Sequence, residues 1–197
     1  MGRKPMTDST SHAVVAVVMR VHEHRLEGLF GRVERNVTES LEDALARAVD
    51  VTALAHVEQL ETRVFDDGTM ATIYLGLARV DSVVPGQWLV RMSKSDNALF
   101  EIARARLRAK LSYTNLCFAL APEVFTISEL RDVYRAALGH DVSATNLQRV
   151  LLRRGALERV DGHRAPGRAG GRPAALFRFA SQRLEVTDEF AALRPPR

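Results

Sequence analysis

Apolar residues follow two different periods along this chain: strand runs around one helical stretch up to residue 80, and mostly helical spacing from Ala98. Ala13 to Val21 is an almost continuous β-branched run, the pattern of a buried strand. His22, Glu23, His24 and Arg25 make a polar turn, and Leu26 to Val33 reads as a second, shorter strand. Leu41, Leu45 and Val49 recur at helical spacing, which predicts a helix over 38–51 capped by Thr38 or Asn36. Val57 to Phe65 and Thr69 to Val80 are strand runs joined by Asp66-Asp67-Gly68, a hairpin turn signal. The order so far is strand, strand, helix, strand, strand.

Residues 81–97, with Pro85-Gly86 and the polar stretch from Ser93 to Asn97, form the expected linker. From Ala98 the pattern is helical, with Leu99, Ile102, Ala103, Leu107 and Leu111 on one stripe. Arg104, Arg106, Arg108 and Lys110 lie off it, the pattern of a solvated helix face. Thr126-Ile127-Ser128-Glu129 has capping-box spacing and opens a short amphipathic helix through Leu130, Val133, Tyr134 and Leu138. Gly139 stands where a helix end commonly takes a left-handed residue. After the turn His140-Asp141-Val142, Asp141 or Ser143 caps a second helix that runs to Arg154 and stops at Gly155. Two short helices joined by about four residues have the spacing of a helix-turn-helix.

The second of these helices divides into two faces at about 100° per residue. Leu147, Val150 and Leu151 gather on one side, while Thr145, Asn146, Arg149 and Arg153 fall on the other, with Gln148 and Leu152 at the flank. Such a polar face suits a major groove, because Asn bonds adenine and Arg bonds guanine through two parallel hydrogen bonds. The plainer alternative is ordinary polar cover on a surface helix. The segment after the helix favours the groove. Ala156 to Val160 and Ala174 to Phe179 predict two strands around a Gly/Arg/Pro loop that carries Arg164, Arg168 and Arg172. A hairpin beside a recognition helix is a wing whose arginines reach phosphate or the minor groove. No P-loop Lys-Ser/Thr and no helix come after this loop, as a nucleotide cradle would require.

Charge sharpens this division. Residues 1–96 carry 11 Lys+Arg against 14 Asp+Glu, whereas residues 97–197 carry 17 against 10. A basic module attached to a non-basic one is the expected organisation. A chain of 197 residues that is 46% hydrophobic and 26% charged has the composition of an ordinary soluble globular protein. Its longest apolar run, Ala13 to Met19, is far short of the roughly 20 residues that span a bilayer. Arg3 and Lys4 are followed by Asp8, Ser9, Thr10 and Ser11, which is not a secretory leader pattern. The single cysteine, Cys117, lies among Leu116, Phe118 and Leu120. It is expected to be buried, and its solitude fits a reducing cytoplasm.

The second half resembles a known family. Arg106-Leu107-Arg108 with Lys110, Tyr113-Thr114, Phe125-Thr126, Glu129-Leu130, Tyr134, Leu138-Gly139, Asn146, Arg149 and Gly171-Arg172-Pro173-Ala174 fall in the order found in the NrtR regulators, the Nudix-related transcriptional regulators. The similarity covers residues 98–180. It implies an α/β (α+β) protein: a Nudix-like mixed-sheet sandwich domain over 12–92, then a winged helix-turn-helix domain over 98–183. It also implies a homodimer that binds operator DNA as a repressor, with ADP-ribose or another nucleotide or sugar metabolite as effector.

The helix predicted over 38–51 can be laid on the Nudix box, where Glu39 and Arg47 match on nearly one helix face and Val49 takes the apolar site. The box's metal-binding glutamates fall on Ala48, Val51 and Thr52, and its glycines on Val33 and Leu54. Mg²⁺ needs oxygen ligands that Ala and Val cannot offer, so neither catalytic nor metal residues are expected and no cofactor is assigned. Only Glu34 to Thr38 separates Val33 from Glu39, leaving the family's Gly-rich substrate loop largely absent and no effector contact assigned. The alternative is a Nudix-type phosphohydrolase acting on ADP-ribose or a related nucleoside diphosphate. A third reading is a winged helix that binds protein rather than DNA. His22 and His24 alternate as metal ligands do, but without a third ligand they read as a solvated turn. Trp88 is expected to pack at the domain junction.

Overall fold

The computed structural model describes residues 11–90, 92–165 and 173–189. Its first strand, β1 (His12–His22), is the middle of everything that precedes the linker. It pairs antiparallel with β2 (Arg25–Arg35) and parallel with β4 (Met70–Leu77), and β3 (His56–Val64) closes the mixed sheet in the order β2-β1-β4-β3. A central strand covered on both faces has no polar alternation, and Ala13 to Met19 are all buried. The turn from β1 to β2 consists of Glu23 and His24, both left-handed at φ 47° and 62°. That is the backbone of a type I′ hairpin, built here without glycine.

Alternate residues of β1 serve different layers. Val14, Ala16 and Val18 pack with Ala44, Leu45 and Val49 around α1 (Leu41–Ala48). Gly31 lets this helix lie against β2, since a side chain there would run into the Ala48 carbonyl. Val15, Val17 and Met19 face the other way, onto α2 (Lys94–Leu111), with Leu99, Phe100, Ala103 and Leu107. That second core continues without a break through the rest of the chain.

The helix predicted over 38–51 is shorter than its pattern. Ser40, not Thr38 or Asn36, caps it by accepting from the Asp43 N–H, and Asp50 caps a separate 3-10 turn, Val51–Ala53. The expected linker is also shorter. Ser93 accepts from the Asp96 N–H at 3.2 Å, so the polar stretch is the first turn of α2. Upstream of it, Leu89 exchanges backbone hydrogen bonds with Gly28 at 2.8 and 3.0 Å, and Val84 is buried. Trp88 packs with the α1 layer under the Arg20 guanidinium, 4.1 Å from the ring centroid, rather than at the domain junction. The reason is apolar: Val84, Trp88 and Leu89 return to the sheet that the linker has just left.

After α2 come a 3-10 turn (Leu116–Ala119), α3 (Ile127–Leu138), α4 (Ala144–Arg153) and the antiparallel hairpin of β5 (Leu157–Arg164) and β6 (Ala174–Phe179). The predicted capping box is complete: Thr126 Oγ1 accepts from the Glu129 N–H, and Glu129 Oε2 accepts from the Thr126 N–H at 2.7 Å. Gly139 ends α3 at φ 78°, and Ser143, not Asp141, caps α4. β5 runs four residues beyond the predicted Val160, across a bulge between Val160 and His163. Phe125 and Phe177 exchange backbone bonds at 2.8 and 2.9 Å, which fastens the hairpin to the entry of α3.

Candidate nucleic-acid interface

The outward face of α4 is set by what holds its inward face. Leu147 and Leu151 are 7% and 3% exposed, one turn apart, and anchor the helix against α3 and β5. A helix held on that side must turn the residues opposite into water. Thr145, Asn146, Arg149 and Arg153 are all exposed, and Gln148 is half-buried at the flank. Two of these side chains are already engaged with each other: Arg149 Nη2 donates to Asn146 Oδ1 at 2.8 Å. The bond restricts the rotamers of both groups across the first turns of the helix. It leaves most of the Arg149 guanidinium donors and the Asn146 amide N–H₂ facing outward. Leu152, 41% exposed, adds an apolar edge to the same surface.

The wing is placed only in part. Arg164, at the end of β5, folds back toward α3, with Nη2 3.4 Å from both Glu129 Oε2 and the Val124 carbonyl. It is half exposed and braces the hairpin against the capping box. Arg168 and Arg172 lie outside the described residues.

The residue that fixes the far end of α4 was not evident from sequence. Arg154 donates to Asp188 Oδ2 at 2.6 Å and to the Ser112 carbonyl at 3.0 Å, with both charged side chains about 10% exposed. Asp188 sits in a segment that returns to α2, where Tyr113 O accepts from the Thr187 N–H at 2.7 Å. No local pattern around Asp188 signals this pairing, because its partners are 34 and 75 positions away in the chain.

The basic residues of α2 are not the solvated face expected of them. Lys110 bonds to Glu58 on β3, and Arg106 Nη1 lies 3.6 Å from the same carboxylate. Arg104 and Arg108 turn instead toward Gly139 at the end of α3. The helix lies between the sheet and the winged helix, so its polar side has neighbours too. Burial pushes the Glu58 carboxyl up, but hydrogen bonds from Lys110 and His56 outweigh it and hold the group below its usual value.

The Nudix-box positions also resolve. Glu39 precedes α1 instead of riding on it, and takes two hydrogen bonds from Arg47, at 2.7 and 2.8 Å. The two matched positions therefore hold each other. Ala48, Val51 and Thr52, at the positions of the box's glutamates, carry no carboxylate. Among the described residues, no group of three or more His, Cys, Asp or Glu could hold a metal ion. His22 reaches Glu27 and His24 reaches Asp132, at 3.4 and 3.5 Å. Cys117 is fully buried, and burial pushes its thiol far up, as expected of an inert core residue. No helix among the described residues is long and apolar enough to cross a membrane.

Comparison with known proteins agrees with this geometry. Residues 117–179 match the family described as the NrtR DNA-binding winged helix domain. The ADPR responsive transcriptional repressor NtrR of Acinetobacter baylyi is 39% identical over 84 residues, a stretch that covers 43% of this chain and 32% of that protein. The matched part is thus about a third of that relative's length. The crystal structure of Shewanella oneidensis NrtR complexed with a 27mer DNA superposes with a TM-score of 0.64 at 25% identity, over 85% of this chain and 93% of that one. A MutT/nudix family protein from Enterococcus faecalis superposes with a TM-score of 0.62 at 16% identity, over 89% and 90% of the two chains, and shows the fold alone. The mixed α/β architecture is that of a Nudix-like domain followed by a winged helix.

Proposed function

We propose that this chain, which carries an NrtR-type winged helix behind a Nudix-like domain, is a DNA-binding transcriptional repressor that acts in the cytoplasm as a homodimer. The observation that carries the reading is α4: two buried leucines hold it, and Thr145, Asn146, Arg149 and Arg153 are displayed to solvent. In a major groove, Asn146 would pair with adenine and Arg149 or Arg153 with guanine, each bidentate pair discriminating by about 1–3 kcal/mol. Gln148 would contact the groove wall. Arg164, Arg168 and Arg172 would bring the wing to the backbone. Two copies would read half-sites about one helical turn apart. The domains would divide at 12–92 and 98–183, with α2 as the shared element.

The Nudix-like domain serves here as a sensor and dimerisation platform without hydrolytic activity, a reading supported by Ala48, Val51 and Thr52 standing where the box's metal-binding glutamates would fall. The name of the Acinetobacter relative makes ADP-ribose the first effector to try. An effector shifts DNA affinity only by as much as it prefers one arrangement of the domains. Fluorescence anisotropy on DNA from upstream of its own gene, beside a scrambled duplex and with and without ADP-ribose, tests the proposal. Tighter binding to the upstream duplex is expected, together with a change on adding ADP-ribose. Equal, steeply salt-dependent binding to both duplexes would reduce the basic half to general electrostatics. Metal-dependent hydrolysis of ADP-ribose that disappears in Glu39→Ala would instead establish the phosphohydrolase.

A further inference from the structure

We infer that the cavity between the β1–β2 hairpin, α2 and the end of α3 is a binding site for a small phosphate-bearing anion. The cavity has a volume of about 530 Å³ and is walled by both halves of the chain, with Arg25 from the hairpin side, Asn97 and Arg104 from α2, and Arg135 and Gly139 from α3. It lies on the α2 face of the sheet, away from α1 and its Glu39–Arg47 pair.

Two guanidinium groups converge on Gly139 in its wall, Arg104 as part of the lining and Arg108 from just behind it. Arg104 and Arg108 are one turn apart on α2, and each places Nη2 2.6 Å from where a side chain on Gly139 would begin. The two nitrogens therefore stand no more than about 5.2 Å apart, twice that distance. The Nε of each is buried and meets no hydrogen-bond acceptor among the described residues. Glu101, which also lines the cavity, lies 3.5 Å from Arg104 Nη1 and offsets part of its charge, and no acidic side chain among the described residues pairs with Arg108. The negative end of the α3 dipole offsets part of this like-charge approach. It does not supply acceptors for the inward N–H groups.

Two planar forks with nitrogens within that limit can share one tetrahedral oxyanion, since charge-assisted N–H···O bonds run about 2.7–2.9 Å. A cavity of this size falls in the range of metabolite sites, which points to a phosphate or diphosphate carried on a small molecule. Asp141 borders the cavity and α4 starts at Ala144. If the DNA-binding reading holds, an anion bridging α2 to α3 would therefore bias the seat of α4. The site itself does not depend on that reading.

Isothermal titration of the full chain with inorganic pyrophosphate at fixed ionic strength, with sulfate and chloride as controls and no DNA present, tests the site. One saturable site is expected. The double variant Arg104→Gln, Arg108→Gln should weaken it at least about tenfold, as loss of charged hydrogen bonds implies. Asn97→Glu, an exposed change at the cavity mouth that leaves the core untouched, should weaken it in the same direction and serves if the double variant fails to fold. No saturable uptake by the wild type, or equal uptake by wild type and Asn97→Glu, overturns the inference. So does a double variant that loses affinity for a scrambled duplex while the wild type takes up no pyrophosphate, because the two arginines would then serve the DNA backbone. Failure of the repressor reading would leave the DNA-free isotherm unaffected, so the two outcomes are separable.

Discussion

Leu107→Ala asks whether the two halves of this chain stand or fall together. Leu107 is fully buried in the middle of α2, within a core that runs from Ala13 and Ile73 in the sheet to Leu130, Leu147 and Phe179 in the winged helix. Truncating a buried leucine costs about 2–5 kcal/mol, more where the walls cannot collapse into the space. Here α2 is wedged between sheet and α3 and cannot close on one without leaving the other, so about 3–4 kcal/mol is expected. For a chain of this size that lowers the melting temperature by roughly 6–16 °C. The assay compares far-UV circular dichroism, which weighs both halves, with fluorescence of Trp88, the single tryptophan, which reports from the α1 layer of the sheet. Both signals should fall in one coincident transition shifted by the same amount. A Trp88 transition that stays in place while the dichroism shifts would refute the continuous core.

Three further outcomes rest on local geometry. Glu58 is held below 4.5, the ordinary glutamate value, by Lys110 and His56 despite its burial. Its stabilisation is therefore present above that value and lost as pH falls through the lower folded value. Acid titration of stability should be flatter below pH 4.5 in Glu58→Gln than in the wild type, and a parallel profile would contradict the pairing. Thr126→Ala removes the acceptor of the capping box and should cost about 1 kcal/mol in denaturant unfolding; an unchanged midpoint would mean that α3 does not need its cap. Gly139→Ala places a side chain at φ 78° where two guanidiniums already sit, and should cost more than about 1 kcal/mol; a neutral or stabilising effect would contradict the left-handed helix end.

How much the sequence reveals depends on the range of the interaction that decides each feature. The double-sided burial of β1 is written in its unbroken apolar run, and the capping box and Gly139 are local spacings, so both are legible. The first turn of α2 is not, since Ser93 to Asn97 is as polar as a loop and only the Ser93 to Asp96 hydrogen bond distinguishes it. The face of α4 can be read from periodicity because its apolar side is long enough to orient it. The roles of Arg104, Arg108 and Arg154 cannot. An apolar stripe tells which side of a helix meets the core and is silent about what packs on its polar side. The partners, Gly139 and Asp188, are supplied by tertiary structure.

The central claim is that α4 reads base sequence. The most direct measurement is the ratio of affinities for a duplex selected from a random library over a scrambled duplex, taken for the wild type, Asn146→Ala and Arg149→Ala at one salt concentration. Each variant should lose about 1–3 kcal/mol of that ratio while its affinity for the scrambled duplex changes less. The double variant should lose less than the sum, because the Arg149–Asn146 hydrogen bond couples the two side chains. Wild-type discrimination retained by both single variants would contradict the account and move sequence reading off this helix.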